Sequence, residues 1–440
     1  TVEMWSKAYT DANYHWQYFG IPVTGTTFAS TFSGTGVRVR KYDETNHDAT
    51  GNNVGLWKPS GTGNSYSGTD ALVPVDGYEV TQPSARKYTF TGTLYHSDVT
   101  KTLAYTASAD WKGQHILANP FTAALDISKL TFGAGTENNV YLYNAGSLAE
   151  WTAASGASTD GTSPGQYTVS NGEFAGTLGT PKQIPSMQGF LVNVTSTSSF
   201  GMPLSALISN SIVQRAPAVS NKVGTRIDVV GTKYADKMWI FTESTATRSY
   251  DKGFDGPKLL GSALTPQLYA MESDGIYQID AVKDINNTQL GFQAGSEKNL
   301  KLVFTHQNSE LYSKIYLVDL VANKTVDVTA SGSEYAFTSE ATPTAVNRFK
   351  IISTTEVTTS TNNIKNDDLR IMNQDNKLII DNKLADNGTL QIFDLAGKLQ
   401  TSFHFDGNAI STLNSTLQKG IYVARMSAGS YSISKSLIIK

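Results

Sequence analysis

Apolar residues in this chain recur at every second position far more often than at the three-to-four spacing of a helix. Tyr88–Gly92 alternates aromatics with small polar residues. Leu300–Thr305 sets Leu300, Leu302 and Phe304 on one side of a strand. Glu334–Thr338 and Arg348–Ile351 repeat the pattern. Period-two patterning with one wet face predicts antiparallel sheet. The runs are short and are punctuated by Gly, Asn, Asp, Ser and Pro, so the expected fold class is all-β: tandem β-sandwich domains of Ig-like or jelly-roll-like kind.

The first half contains a duplication. Trp16–Val23 is echoed by Gln114–Phe121, and each echo is followed by a strand, Val39–Asp43 and Val140–Asn144. A tryptophan comes next in each, Trp57 and Trp151, then long polar loops, then Val73–Val80 and its match Ile184–Val192. The last pair combines a Pro-led turn, a glycine and an aromatic that opens a buried strand. Two copies of one β module are therefore expected at roughly residues 1–105 and 106–215. A third β-sandwich follows at roughly 216–355, with strands at Lys237–Phe241, Pro266–Met271, Ile276–Ile279 and Lys314–Val318. Roughly residues 356–363 read as a linker, since Thr354–Asn363 has almost no apolar content.

From Ile364 to Lys440 the strand runs are Lys377–Ile380, Leu390–Asp394, Gly420–Met426 and Tyr431–Lys440, with a turn at Leu395–Lys398. Three motifs stand in order here: Ile392–Lys398, the pair Lys419-Gly420 running into Ile421–Val423, and Ser434–Lys440. This stretch resembles the C-terminal sorting domain of cargo proteins of the Gram-negative type IX secretion system. The modules before it, and the Pro266–Ala270 region, look like the repeated β domains of large surface proteins in the same bacteria. The resemblance implies an Ig-like domain at 364–440 whose sorting motif is carried by Asp394, Gly397, Lys398, Lys419, Gly420, Tyr422, Lys435 and Lys440. It also implies passage through an outer-membrane translocon, handover to a shuttle barrel, and a surface peptidase that usually trims the domain and attaches the passenger to a lipopolysaccharide anchor. A chain that keeps the domain suggests a precursor, a translocon-bound cargo or an untrimmed protein.

Composition narrows the partners. The 440 residues include 35 Lys and Arg against 38 Asp and Glu, a net charge of −3. Nucleic acid and anionic membrane, which call for a basic face, are disfavoured. Nine Lys and Arg against seven Asp from Ile364 onward give the tail +2, and the remainder −5, which together make the −3 of the whole. An acidic docking partner for the tail is one reading of that contrast, and an incidental difference is the plainer one. There is no cysteine, which removes disulfides, thiolate nucleophiles and Cys-ligated zinc. No apolar run is long enough for a membrane-spanning helix. Thr1–Trp5 has no signal-peptide pattern, which is uninformative for a processed chain.

Candidate chemistry is sparse. The six histidines (15, 47, 96, 115, 306 and 404) show no pairing at metal-ligand spacing. Gly161–Gly165 spells G-x-S-x-G, but Pro164 lacks the N–H that an oxyanion donor there needs. Asp43–Asn53 is rich in oxygen ligands that calcium would accept, yet its spacing is not that of an EF-hand, and a solvated turn is the plainer reading. Asp251 and Asp255 read as turn-fixing residues. No phosphate loop or carboxylate pair is visible, and no metal site or cofactor is expected. Trp57 and Trp151 carry two readings: each closes the edge of its sandwich, or each offers a ring face to a sugar beside hydrogen-bonding loops. The expected role is therefore a non-enzymatic structural or adhesive protein, secreted to the cell surface. The alternatives are a surface carbohydrate-binding protein and the non-catalytic part of a larger surface enzyme. Glycans or neighbouring surface proteins are the partners these imply.

Overall fold

The computed structural model describes residues 1–6, 16–45, 57–58, 65–109, 111–146, 165–209, 221–342, 344–355, 369–374, 377–414, 416–429 and 431–439. Among them strands dominate, and the α-helical content is the single turn Phe28–Thr31, closed by a Thr27/Ser30 capping box. Among the described residues, five of the eight non-glycine positions with positive φ are asparagines (138, 287, 308, 323 and 408), each supplying a left-handed turn between strands. Contacts divide the chain into two units, Thr1–Ser309 with Asp319–Val321 and Ala330–Lys350, and Glu310–Val318 with Ala322–Thr329 and Ile351–Lys440.

The first unit opens with two four-stranded sheets of identical order. β1 (Gln17–Phe19), β2 (Arg38–Tyr42), β3 (Trp57–Lys58) and β4 (Tyr78–Thr81) are arranged β1-β4-β2-β3. β5 (Gln114–Ala118), β6 (Asn139–Tyr143), β7 (Tyr167–Asn171) and β8 (Gly189–Asn193) are arranged β5-β8-β6-β7. The register matches too. Phe19 lies opposite Tyr78 as Leu117 lies opposite Phe190, and Arg40 opposite Glu79 as Tyr141 opposite Leu191. Each sheet closes over its own core, Phe19, Val39, Tyr78 and Val80 in one copy and Leu117, Val140, Phe190 and Val192 in the other.

The copies face one another with equivalent positions exchanged. Gly20 N–H donates to Met187 O at 2.7 Å, and Ala118 N–H donates to Val75 O at 2.9 Å. Phe19 bridges Gln188, and Leu117 bridges Asp76. Val75 and Met187 occupy the same place in their turns, and both hold positive φ, 78° and 57°. That conformation costs a side-chain-bearing residue about 1–3 kcal/mol, and in both copies it turns a carbonyl towards the other copy. The pair has the geometry of a two-fold dimer written into one chain. Close to the axis a Cβ on Gly20 would lie 2.9 Å from that of Ala118, so there is room for one methyl and not two.

Besides several two- and three-stranded sheets, this unit holds one long sheet in which the strands run β15-β14-β9-β10-β12-β11-β13-β16. Its strands are β9 (Val223–Val230), β10 (Ala235–Thr242), β11 (Gln267–Glu272), β12 (Gly275–Val282), β13 (Gln289–Gln293), β14 (Asn299–Gln307), β15 (Glu334–Thr338) and β16 (Val346–Thr355). All pairs in it are antiparallel except β10 with β12. One face is buried on the second copy: Trp239, Phe241, Ile279 and Ala281 pack with Tyr141, Val169, Phe174 and Leu191. The rings of Phe174 and Phe241 stack 4.0 Å apart.

The second unit contains a two-sheet sandwich. β17 (Leu369–Gln374), β18 (Lys377–Asn382) and β21 (Ala409–Asn414) form the sheet β17-β18-β21. β19 (Gly388–Phe393), β20 (Leu399–Phe405), β22 (Gly420–Ala428) and β23 (Tyr431–Ile439) form β20-β19-β22-β23. The core between them holds Ile371, Leu378, Ile380, Leu390, Ile392 and Met426. Gly388 is required here, because a Cβ would come within 2.2 Å of the Phe405 ring.

Candidate functional site

In the sandwich of the second unit, Asp394 shapes the β19–β20 hairpin. Its Oδ1 accepts the N–H groups of Ala396 and Lys398, both at 2.9 Å, and its Oδ2 accepts Gln400 Nε2–H at 2.6 Å. Gly397 N–H donates to Asp394 O at 3.0 Å, with φ at +77°, a conformation that suits glycine. The sequence spacing Asp-x-x-Gly-Lys is thus the chemistry of one tight turn that presents an exposed Lys398.

Register draws the other motif residues to the same end of the sheet. Phe393 lies opposite Val423, and Gly420 opposite Ile439. The turn at 394–398, the Lys419-Gly420 step and the end of β23 therefore share one rim. Tyr422 O–H donates to Gln418 O at 3.0 Å, which pins the approach to β22. Lys398, Lys419 and Lys435 are exposed, and among the described residues none of their ammonium groups is in an ion pair. Lys435 stands further along, opposite Ala424, and Lys440 lies outside the described residues. On the outer face of this rim, cross-strand pairing lines up Leu399, Phe393, Val423, Ile421 and Ile438. Leu399, Ile421 and Ile438 are 46%, 38% and 58% exposed. The rim is an apolar strip edged by cations, suited to recognition.

Sequence reasoning missed Asn382, which is buried. Its Nδ2 donates to Asp386 O and Asp406 O, both at 2.9 Å, and its Oδ1 accepts Leu384 N–H at 3.0 Å. It ties two loops at the opposite end of the sandwich, and nothing local in the sequence marks it.

The tryptophans of the first unit behave differently from the pairing read in the sequence. Trp57 lies opposite Tyr42, and the residue in that register of the second copy is Tyr167, opposite Tyr143. Trp151 lies outside the described residues. The Trp57 ring is buried: the Arg40 guanidinium covers it at 4.1 Å and lies 3.9 Å from the Trp16 ring, while Tyr42 meets it edge-on. Trp57 thus packs within the sheet and presents no free ring face to a sugar. Trp111, not singled out in the sequence, is 41% exposed and stacks on Tyr42 with 21° between the rings. Its loop is held by Glu44, a buried carboxylate that accepts the N–H groups of Thr106 and Gly113 at 2.7 Å.

Other candidates resolve into structural parts. Asp255 accepts the N–H groups of Asp251 and Ala281, and Asp251 that of Thr247, so both carboxylates fix turns. His96, His115, His306 and His404 each bond a different neighbour and stay apart. The serine of Gly161–Gly165 and residues 46–53 lie outside the described residues. Among the described residues no group of three or more His, Asp or Glu is placed to hold a metal ion, and no helix is long and apolar enough to cross a membrane. A cleft of about 560 Å³ beside Phe292, Lys298 and Arg348 holds a single carboxylate, Glu340, where glycoside hydrolysis canonically uses two.

Comparison with known proteins agrees with the tail. Residues 351–440 match the family described as "Secretion system C-terminal sorting domain". The match starts upstream of the boundary at 364 and takes in residues 356–363, read as a linker, which lie outside the described residues. Over 363 residues, 77% of this chain, the sequence is 30% identical to the "Minor fimbrium subunit Mfa5" of Porphyromonas gingivalis. The chain spans 28% of that relative's length. A solved "Biofilm associated protein - BSP domain" aligns along 99% of this chain and 97% of its own, but at 9% identity and a TM-score of 0.15. Residues 351–440 are a sorting domain of the type IX secretion kind, and the chain is a secreted protein of a Gram-negative cell surface.

Proposed function

We propose that the passenger, roughly residues 1–350, is a structural or adhesive component of the cell surface. One observation carries this reading: a single chain combines a sorting domain with similarity over 363 residues to a fimbrium subunit. The fold supports it. Two β modules lock face to face and a third sheet is packed on the second, which suits a load-bearing part. The reading assigns the chain no catalytic residue and no cofactor. The cation-edged apolar rim of the tail is the face we assign to the export machinery, including the outer-membrane shuttle. Trimming by a surface peptidase and attachment to a lipopolysaccharide anchor complete the scheme.

Immunogold labelling of intact cells, combined with analysis of the material they release under shear, tests the role. The expected result is label on the cell surface and the chain in sheared surface assemblies, with cell–cell or cell–substrate adhesion reduced in a deletion strain. A chain found only as a free monomer, with adhesion unchanged in its absence, contradicts it. Trp111 supports a second reading as a glycan platform, since its ring faces solvent. Glycan-array binding that disappears in Trp111→Ala would favour that reading.

A further inference from the structure

Lys258 and Asp236 form an ion pair sealed inside the third β region. Nζ lies 2.8 and 2.7 Å from the two carboxylate oxygens, and the side chains are 1% and 0% exposed. Asp236 stands in β10. Lys258 follows the short strand Gly256–Pro257, which pairs with β12. An ammonium carries three N–H donors, and among the described residues Asp236 is the group that receives them. Asp236 Oδ2 also accepts Leu268 N–H at 2.9 Å. Two charges out of water, with more donors than acceptors, are a costly way to hold strands together.

The same geometry suits condensation. We propose that Lys258 and Asp236 are joined by an isopeptide bond in the folded protein. The amine and the carboxyl group are already at reacting distance and shielded from water, which replaces a bimolecular encounter with an intramolecular one. A proton passes from the ammonium to Oδ1, giving neutral groups that a dry site accommodates better. The Nζ lone pair then attacks Cγ. The Nζ–Cγ bond forms, the Cγ–Oδ1 bond breaks, and Oδ1 leaves as water with two of the three ammonium protons. Oδ2 remains as the amide oxygen and keeps its hydrogen bond from Leu268. Ammonium plus carboxylate give amide plus water, with no oxidant or reductant. The product has one N–H and no charge, so both the donor surplus and the cost of buried ions disappear.

The bond would strap β10, whose Trp239 and Phe241 pack on the second module copy, to the segment that pairs along β12. In a chain without cysteine it would do what a disulfide does in other exported proteins.

Mass spectrometry of the purified full chain, denatured before analysis, tests this. The expected mass is lower than that of the sequence by one water, and digestion should yield one branched peptide joining the segments that carry residues 236 and 258. Asp236→Ala and Lys258→Met should each restore the full sequence mass. A wild-type chain at full mass, or a missing water located at other residues, overturns the proposal. The wild-type measurement decides it even if neither variant folds.

Discussion

The two module copies share strand order, register and a strained turn, yet the outer faces of their sheets differ. In the second copy that face carries Tyr141, Leu191 and Val169 and is buried on Trp239 and Phe241. At the matching register the first copy carries Arg40 and Glu79, paired at 2.7 Å, with Arg40 lying over the rings of Trp16 and Trp57. The turns differ as well. Asp76 receives Lys41 at 2.7 Å and Lys101, whose strand Val99–Leu103 pairs with Ser198–Met202 of the second copy, at 2.9 Å. Burial opposes the ionised form of Asp76, but the two ammonium groups hold its carboxyl below the ordinary range. Its counterpart Gln188 is neutral. Inner faces fix the fold of each copy, and outer faces decide what each copy can dock.

Exchanging the outer faces breaks this comparison most severely. Tyr141→Arg with Leu191→Glu would place two ions under Trp239 and Phe241, at an expected cost of about 4 kcal/mol. Urea denaturation would measure the loss, and hydrogen exchange should rise across β10. Next comes the pH response of the first copy. Burial pushes the Glu79 carboxyl up to about 7 from 4.5, against the pull of Arg40. The folded state therefore keeps a proton that the unfolded chain releases. Its contribution is complete at pH below 4.5 and is lost as pH rises through 7. The fall is on the order of 3 kcal/mol, and Glu79→Gln should flatten that part of the stability–pH profile.

Gly20→Ala adds a methyl 2.6 Å from Asn119 O, beside the Ala118 methyl. A loss of about 2 kcal/mol is expected, read as a lower denaturation midpoint. The smallest effect belongs to the reverse exchange. Arg40→Tyr with Glu79→Leu should be neutral or stabilise by up to about 2 kcal/mol, with the gain larger at pH 8 than at pH 5. A marked loss at both pH values would show that the ion pair holds the first copy together.

Much of this architecture was legible in the sequence. The duplication shows in its Pro-Gly-aromatic turns, because those residues do a local job at Val75 and Met187 in each copy. The hairpin turn of the tail was legible for the same reason, since Asp394 and Gly397 build it within five residues. What depended on distant partners was hidden. Trp57 was matched with Trp151 by order along the chain, whereas register across long polar loops matches it with Tyr167. Glu44, in a loop that reads as solvated, is buried and clasps residues 106 and 113. Arg40 and Glu79 look like ordinary wet-face residues, and only the packing shows them covered.

Protease shaving of intact cells that express either the full chain or one lacking residues 351–440 measures whether the tail directs export. The full chain should be cleaved from outside, and the truncated chain should be retained in the periplasm and protected. Equal surface cleavage of both would contradict the assignment of the tail as the export signal.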